Sequence, residues 1–441
     1  MLRLPRHVLA RLLVSPVAAG GGAVVWLWWS GTPAGALQTS GDVMMATARI
    51  TGLLAAYLLL VEVALMARIP WLERRIGADW LARAHRELGI YLIVMLVVHA
   101  TLMVGALALL DHLRFADELA VVVLAYPEVL KATGALALFL GVGLLSCRAV
   151  RRRLAYEAWH LTHLYAYPAV ALAFFHQVAA GADFRNQTAR TVWTGVHLAV
   201  LACVLRYRVW RPVGLALRHR LRVHAVVPES DQVVSIYVSG RQLDRLGARA
   251  GQFFRWRFLT RDTWWQAHPF SLSAAPGQQL LRLTVKALGD HSSALRYLRP
   301  GVRVIAEGPY GAVTEEQRTR RRVLLIGGGI GIAPLRALLA SLTGAPGDIA
   351  FVYRGESEAS LIFAKELGEL AARRGVVMHG LFGPRVPREP LSARRLRALV
   401  PDVEQRDVYV CGPPGMMETA RRALRGAGVP RRRIHIESFD L

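Results

Sequence analysis

The sequence is poor in cysteine and in acidic residues, and both shortages limit the kinds of site and partner that we expect. Its three cysteines, Cys147, Cys203 and Cys411, show neither metal-ligand spacing nor the spacing of a disulfide framework. Lysine and arginine number 55 against 31 acidic residues, which gives a formal net charge of +24. Because no basic-aromatic nucleic-acid motif accompanies this charge, we expect neither a cysteine centre nor nucleic-acid binding.

Apolar residues make up 54% of the 441 residues, and they are unevenly distributed. Long apolar runs fill the first half of the chain. After about Arg218 the sequence changes to short β-rich segments, turns and charged helices. The pattern predicts a membrane half followed by a soluble half of more than one domain.

Six segments of the first half are candidate membrane spans. Each has close to the ~20 residues that are needed to cross about 30 Å of hydrocarbon. The spans are 8–29, 43–67, 88–110, 129–147, 159–179 and 192–210.

Arginine orients these spans. It is concentrated before the first span, between the second and third, after the fourth and at the end of the sixth. The positive-inside rule therefore predicts a cytoplasmic N-terminus and a cytoplasmic soluble half in a multi-pass cell-membrane protein. The basic start and the small residues 34–36 also fit a cleaved signal peptide, but an uncleaved first helix is favoured.

Two histidines bound the third span, in HRELGIYLIVMLVVH. His85 and His99 are fourteen residues apart, which places them within ~40° of one helix face and ~21 Å apart along the axis. The fifth span holds His163 and His176, thirteen residues apart, with Pro168 between them to change the helical phase.

Four imidazoles on two spans at two matched levels predict two six-coordinate haems, since polar residues within a span are usually functional. We expect His85 to pair with His163 near the cytoplasmic side and His99 with His176 near the outer side. His160 competes with His163 as a ligand, and proton relay or structural hydrogen bonding is the alternative reading of the set. His197 has no partner at a suitable spacing, so a structural role is expected.

The soluble half contains two patterns. From 221 to 311 the alternation of apolar and polar residues indicates a small antiparallel β-barrel that carries HPFSLS, KALGDHSS and GPYG. Beyond QRTRRR, the segment RVLLIGGGIGIAPLRALLASL is a strand, a glycine-rich turn and a helix, and DVYVCGPPGMMETARRAL repeats that order. The second pattern predicts a parallel α/β sheet that cradles phosphate at its carboxyl edge.

Taken in order, these motifs resemble those of the ferric reductase/NADPH oxidase family of flavocytochromes, bacterial type, over nearly the whole chain. The resemblance implies a six-helix transmembrane haem domain at 1–217, an FAD-binding β-barrel domain at 218–312 and an NAD(P)-binding domain at 313–441. It also implies two haem b groups, FAD and NADPH or NADH as cofactors.

The resemblance also assigns residues to the flavin. His268 stands where the family motif usually has arginine, against the pyrophosphate. Phe270 would pack on the isoalloxazine and Ser271 would hydrogen-bond near its reactive edge. The same motifs supply Pro269, Lys286, Gly289 and Ser292, the last two for the phosphates.

In the nicotinamide domain, Gly327, Gly328, Gly329, Gly331 and Pro334 would bind the cofactor's pyrophosphate. Cys411, Gly412 and Pro413 would line the hydride-transfer site, with Phe439 as a possible cover over the flavin. Arg354, directly after a predicted strand, would select the 2′-phosphate of NADPH, although Glu356 carries the opposite signal.

The function implied is transfer of electrons from NAD(P)H through FAD and two haems to an outer acceptor, either oxygen or a ferric chelate. Two alternatives stay open: a membrane-anchored flavin reductase that feeds another partner, and a haem transporter or sensor. The expected partners are membrane lipid and a small-molecule acceptor. The sequence is silent on oligomeric state.

Overall fold

The computed structural model describes residues 6–33, 35, 37–311, 313–358, 361–383 and 391–436; for 6–13, 74, 75, 78, 79, 127 and 156 it describes the backbone alone. These residues form two compact units. The first comprises residues up to 72 together with 78–208, and the second comprises 73–77 and residues from 209 onwards.

The first unit is helical. Its helices are α1 (Arg6–Ser30), α2 (Ser40–Leu65), α3 (Pro70–Ile76), α4 (Ala78–Leu110), α5 (Phe115–Ala125), α6 (Pro127–Ser146), α7 (Arg148–Arg151), α8 (Tyr156–His163), α9 (Ala166–Ala180) and α10 (Gln187–Val204), with part of α3 assigned to the second unit. A π-helical segment, Leu205–Trp210, follows α10.

Four helical stretches among the described residues are long and apolar enough to cross a membrane: Ser40–Leu65, Trp80–Leu110, Glu128–Ser146 and Gln187–His219. Small and branched side chains such as Ala55, Leu59 and Ala169 pack between helices. Large apolar side chains such as Ile90 and Leu144 stay exposed on the outside. Exposed apolar side chains on spans of this length fit a lipid environment.

The fifth predicted span is two helices rather than one. α8 ends at His163 and α9 begins at Ala166. Pro168 has no N–H to donate, and a proline ring clashes with the carbonyl four residues earlier, which here is that of Leu164. That carbonyl accepts instead from the backbone N of Tyr167 at 3.0 Å. The predicted proline effect is therefore a break that re-orients His163 relative to His176.

The second unit begins with α11 (Arg211–His219), which packs on an antiparallel β structure. Its strands are β1 (Arg222–Ser230), β2 (Val233–Ser239), β3 (Phe253–Phe258), β4 (His268–Ser271), β5 (Leu280–Lys286) and β6 (Val304–Tyr310), with the short helix α12 (Asp290–Ala294) after β5.

These strands form two three-stranded sheets, β1-β2-β5 and β4-β3-β6. Isolated bridges between Arg222 and Arg303 and between Leu272 and Leu283 connect them. Phe254, Trp256 and Ile236 are fully buried in the core between the sheets. Alternate residues of each strand supply this core, which is the period-two pattern visible in the sequence.

The remaining elements form the α/β part. They are β7 (Val323–Gly328), α13 (Ile332–Ser341), β8 (Ile349–Gly355), α14 (Ala364–Arg374), β9 (Val377–Phe382), α15 (Ala393–Leu399), β10 (Asp407–Cys411), α16 (Pro414–Gly426) and β11 (Ile434–Ile436).

All five strands of this part are parallel, in the order β11-β10-β7-β8-β9. Leu324 and Ile326 face a core with α15 and α16, whereas Val323 and Leu325 face a core with α13 and α14. β7 is therefore buried on both faces, as its unbroken apolar run predicts. The glycine-rich turn and Cys411 both lie at the carboxyl edge of this sheet.

Candidate functional site

The two histidines predicted to bind the cytoplasmic-side haem lie together. The ring centroids of His85 on α4 and His163 at the end of α8 are 6.0 Å apart, with an interplanar angle of 74°. Two imidazole nitrogens that each bind one metal ion at about 2 Å place their ring centroids roughly 6 Å apart. The geometry of this pair therefore fits bis-histidine ligation.

The two histidines predicted at the outer level each use Nδ1 on a backbone carbonyl. His99 Nδ1 lies 2.8 Å from the carbonyl oxygen of Ala48, and His176 Nδ1 lies 3.2 Å from that of Glu128. A neutral imidazole that donates from Nδ1 carries its lone pair on Nε2. This is the tautomer in which a histidine ligates a metal while the protein fixes its ring.

His163 has a comparable partner in a side chain. Its Nδ1 lies 3.2 Å from Ser146 Oγ, which also accepts from Trp159 Nε1 at 3.1 Å. The Trp159 ring packs against the His163 ring with centroids 5.2 Å apart. Ser146 and Trp159 together fix the imidazole orientation.

His85 contacts a carboxylate. Its Nδ1 is in close contact with the carboxylate of Glu62 of α2, whose side chain is buried. We did not anticipate Glu62 from the sequence. The signal was present, because an acidic residue inside an apolar span is a functional candidate by default.

His160, the competing ligand candidate, and His197, expected to be structural, differ from these four histidines. The ring of His160 lies 6.5 Å from Trp159, whereas the ring that lies beside His85 is that of His163. His197 places Nδ1 3.0 Å from the carbonyl of Trp193 in its own helix and packs against Phe174. These contacts are those expected of a structural residue.

Gly52 makes room for an outer histidine. A Cβ atom at Gly52 would lie 2.6 Å from Cε1 and Nδ1 of His99. Any side chain at this position would therefore displace the imidazole, so the approach of α2 to α4 depends on glycine at this level.

A buried ion pair lies close in sequence to the same histidines. Asp183, of the GADF segment that follows His176, accepts from Arg49 Nε at 3.3 Å, and Arg49 directly follows Ala48. Nothing in the local sequence around Arg49 predicts this pairing. Pairing satisfies both charges within an apolar unit, where an unpaired charge is costly.

No cluster of three or more histidine, cysteine, aspartate or glutamate residues able to hold a metal occurs in the described parts of the chain. A haem needs only axial ligands from the protein, because the porphyrin supplies the other nitrogens. Pairs of histidines therefore suit haem better than they suit a bare metal ion.

In the second unit, the predicted flavin residues His268, Pro269, Phe270 and Ser271 form strand β4. The backbone carbonyl of Phe270 accepts from Trp256 Nε1 at 2.9 Å, which fixes this strand against β3. Ser271 Oγ is buried and has no hydrogen-bond partner among the described residues. A buried hydroxyl without a partner fits one that is completed by a bound group.

Beside this strand two imidazoles stack. The ring centroids of His268 and His291 are 3.9 Å apart, with an interplanar angle of 27°. Both ring nitrogens of His291 are buried without a partner among the described residues. Burial, with a smaller contribution from His268, lowers the pKa of His291 to about 4. His291 lies in the KALGDHSS motif, and its position beside His268 was not predicted from the sequence.

The predicted phosphate loop is held by its own serine. Ser292 Oγ accepts from the backbone N of Leu288 at 2.8 Å and of Gly289 at 3.0 Å. No atom lies within 4 Å of a Cβ built on Gly289, so the space beside it is open. Lys286, half-buried, ends β5 on the strand that leads into this loop. Phosphate binding by these three residues stays a prediction.

The glycine-rich turn brings two strand ends into contact. Gly327 and Gly328 end β7, and Gly329 has φ +54°, in the left-handed region that favours glycine. A Cβ on Gly331 would lie 2.4 Å from the backbone nitrogen of Gly412. Pro334 is buried in the first turn of α13. These glycines are thus required by packing as well as by any approach of phosphate.

The predicted hydride-transfer residues lie at the neighbouring strand end. Cys411 ends β10, pairs in register with Gly327 and is buried. Gly412 follows it, and Pro413 precedes the first residue of α16. The structure therefore brings the two sets of predicted nicotinamide residues to one place. Phe439 lies outside the described residues.

Arg354 lies at the end of β8 and is buried, and its guanidinium donates to the carbonyl of Gly355. Glu356 is exposed. The choice between NADPH and NADH stays a prediction.

A charged cluster joins the β structure to the α/β part. Glu366 of α14 accepts from Arg282 of β5 at 3.0 Å and from Arg336 of α13. Both arginines also donate to the carbonyl of Ser273, at 2.9 and 3.2 Å. Burial and the neighbouring Arg282 hold the pKa of Arg336 below its usual value, while Glu366 opposes them. Sequence periodicity gives no sign of such a pairing.

Each of the three parts of the chain matches the model of a known protein family. Residues 51–174 match the ferric reductase like transmembrane component, 218–314 an FAD-binding domain and 325–422 an oxidoreductase NAD-binding domain.

Similar proteins match about half of the chain. The ferredoxin reductase component of 3-ketosteroid-9-alpha-monooxygenase from Rhodococcus rhodochrous is 33% identical over 230 residues, which are 50% of this chain and 64% of that protein. The flavohemoprotein of Bordetella pertussis is 29% identical over 239 residues, 48% of this chain and 58% of that protein. The chain thus spans less than two thirds of the length of these curated relatives.

Among solved structures, the FAD/NAD binding domain of nitric oxide dioxygenase from Vibrio cholerae is 24% identical. The match covers 49% of this chain and 97% of that one, with a TM-score of 0.41.

The chain therefore carries, in this order, a ferric reductase-like transmembrane component, an FAD-binding domain and an oxidoreductase NAD-binding domain. The order of the three domains is that of a ferric reductase/NADPH oxidase-like flavocytochrome, and the resemblance inferred from the motifs is confirmed.

Proposed function

We propose that this protein transfers electrons from cytoplasmic NAD(P)H, by way of FAD and two stacked b-type haems, to an acceptor on the outer side of the cell membrane. The acceptor is oxygen, which yields superoxide, or ferric iron. One observation carries the proposal: the rings of His85 and His163 lie 6.0 Å apart on two helices of a ferric reductase-like domain.

The cofactors and the residues have separate tasks in this function. Bound flavin supplies the conversion of a two-electron hydride into single electrons, and bis-histidine haem supplies one-electron transfer. His85 and His163 would hold the inner haem, and His99 and His176 the outer one. Ser146 and the carbonyls of Ala48 and Glu128 fix imidazole orientation through Nδ1.

The nucleotide residues position the reactants. Ser271 Oγ, buried and without a partner among the described residues, would donate to the flavin. Gly331 packs against the backbone of Cys411 and Gly412, and a nicotinamide would bind beside this contact. Cys411 is buried there, so its environment excludes water from that position.

The arginine distribution supports six spans with a cytoplasmic N-terminus and cytoplasmic nucleotide-binding parts. In this arrangement α1, α2, α4, α6, the α8–α9 pair and α10 each cross the membrane. Membrane lipid and a small-molecule acceptor are the proposed partners. A haem held by two histidines would have no free coordination site, so the acceptor would take electrons at the haem edge or displace a ligand.

An absorption difference spectrum of the purified full-length protein tests the proposal. Addition of NADPH under anaerobic conditions should reduce a bound flavin and produce the sharp bands of a reduced low-spin b-type haem, at about two haems per chain. A bound flavin that is reduced in a protein without haem would indicate a flavin reductase instead. Haem that NADPH does not reduce would indicate a transporter or sensor.

A further inference from the structure

The polar groups in contact with Nδ1 of the predicted haem ligands differ between the two levels. At the outer level, His99 and His176 both place Nδ1 on neutral backbone carbonyls. At the inner level, His163 places Nδ1 on the hydroxyl of Ser146, and His85 places Nδ1 on the carboxylate of Glu62. Among these four contacts one is with a carboxyl group, and it belongs to the inner pair.

Glu62 is otherwise difficult to account for. It lies within Ser40–Leu65, a span of membrane-crossing length, and its side chain is 5% exposed. The contact described for its carboxylate is with the imidazole of His85. An acidic side chain in a span is rare and costly, and it is kept where it serves a buried site.

We propose that Glu62 sets the reduction potential of the inner haem below that of the outer haem, an inference that rests on the proposed function. A carboxylate that accepts from Nδ1 makes the imidazole a stronger electron donor through Nε2 than a carbonyl does. A more basic axial ligand favours the oxidised iron and lowers the potential. Glu62 acts through His85, so it is a positioning residue.

This asymmetry gives the electron path a direction. With the carboxylate at the inner level and carbonyls at the outer level, transfer from the inner to the outer haem is downhill. If a carbonyl or hydroxyl lay beside every ligating histidine, these contacts would create no difference in reduction potential between the two haems.

Redox titration of the purified full-length protein, followed by haem absorption, tests this inference without use of its activity. His99→Ala removes an outer ligand and leaves the inner haem to be titrated by itself. In that background Glu62→Gln, which keeps the size of the side chain and removes its charge, should shift the reduction equilibrium at least tenfold towards the reduced form. Tenfold corresponds to 59 mV for a one-electron couple.

Two controls make the result specific. His163→Ala leaves the outer haem by itself, and Glu62→Gln in that background should leave its potential unchanged. Glu118 of α5 is also a buried carboxylate in the first unit, at 2% exposure, and none of its described contacts is with the four histidines. Glu118→Gln in the His99→Ala background should not change the potential of the inner haem.

The outcomes separate this inference from the proposed function. A protein without haem overturns the proposed function. A protein with two haems whose potentials do not respond to Glu62→Gln, or respond equally, overturns the inference alone. If Glu62→Gln does not retain the inner haem, the His99→Ala and His163→Ala proteins, which each keep one haem, are compared instead. An inner-haem potential equal to or above the outer-haem potential overturns the inference, and a lower inner-haem potential supports it.

Discussion

Gly331 and Gly412 are in backbone contact: a Cβ atom on Gly331 would lie 2.4 Å from the nitrogen of Gly412 and 2.5 Å from the carbonyl carbon of Cys411. This contact joins the glycine-rich turn after β7 to the turn after β10. Because the obstructing atoms are backbone atoms, an added methyl group cannot be accommodated by rotation of a side chain.

Gly331→Ala should therefore displace the turn. We expect this overpacking to lower the free energy of unfolding by about 1–3 kcal/mol. We expect the variant to retain FAD and to lose most of its NAD(P)H oxidation, measured with a soluble electron acceptor. Gly368→Ala is the matched control, because Gly368 is exposed on α14 with no atom near its added Cβ. That change should be neutral or stabilise the helix by up to about 1 kcal/mol. Equal activity of both variants would contradict the packing argument.

The haem ligands can be assigned by single substitutions. His99→Ala or His176→Ala should remove the outer haem and retain the inner one, and His85→Ala or His163→Ala should do the reverse. The ring geometry favours His163 over His160, since the His163 ring lies 6.0 Å from His85. Haem content and the low-spin spectrum measure the result. Loss of the inner haem in His160→Ala, with both haems kept in His163→Ala, would exchange the two assignments.

The sequence anticipated those parts of the molecule that periodicity governs. The spacing of His85 and His99, the strand alternation and the two strand–turn–helix segments each follow from local geometry. Pro168 predicted a changed phase, and the structure places the break at Leu164, the residue whose carbonyl the proline ring opposes. By contrast, Arg49–Asp183, Glu62–His85 and Arg282–Glu366 join residues far apart in the chain, so no local pattern encodes them.

Glu366 links the β structure to the α/β part and can be tested without disturbing either nucleotide motif. Glu366→Gln leaves Arg282 and Arg336 with no carboxylate between them, so the relative position of the two nucleotide sites should become less fixed. Since small misplacements of reacting groups are costly, we expect flavin reduction by NADPH to slow by roughly tenfold or more, with FAD retained. Stopped-flow absorbance measures the rate. Glu369→Gln, a change of an exposed residue on the same helix, should have no effect.

The stacked pair His268–His291 predicts a pH dependence of the apoprotein. The pKa of His291 is about 4 in the folded protein and close to 6.5 when it is unfolded. Between these values the unfolded chain binds more protons, so stability should fall as pH decreases from about 6.5 to about 4 and should be independent of this group above that range.

His291→Phe keeps a ring in the stack and removes the titration. We expect a smaller loss of thermal stability on acidification than in the wild type, measured by the unfolding midpoint of flavin-free protein at several pH values. His224→Phe, at an exposed position of β1, should retain the wild-type dependence. A wild-type slope in His291→Phe would assign the acid sensitivity to other groups.

We expect the end of β8 to determine the choice between NADPH and NADH. We predict a preference for NADPH, because Arg354 lies at the end of the strand, where a cation selects the 2′-phosphate. A guanidinium can bind a phosphate through two parallel hydrogen bonds. In the structure Arg354 is buried and donates to the carbonyl of Gly355, whereas Glu356 is exposed. An exposed carboxylate can turn to solvent and so need not repel the phosphate. Arg354→Ala should therefore raise KM for NADPH more than KM for NADH, whereas Glu356→Gln should leave KM for NADPH nearly unchanged. Steady-state kinetics of the full-length protein with both nucleotides measures these changes, and a wild-type preference for NADH, or an equal loss with both nucleotides in Arg354→Ala, would reject the assignment.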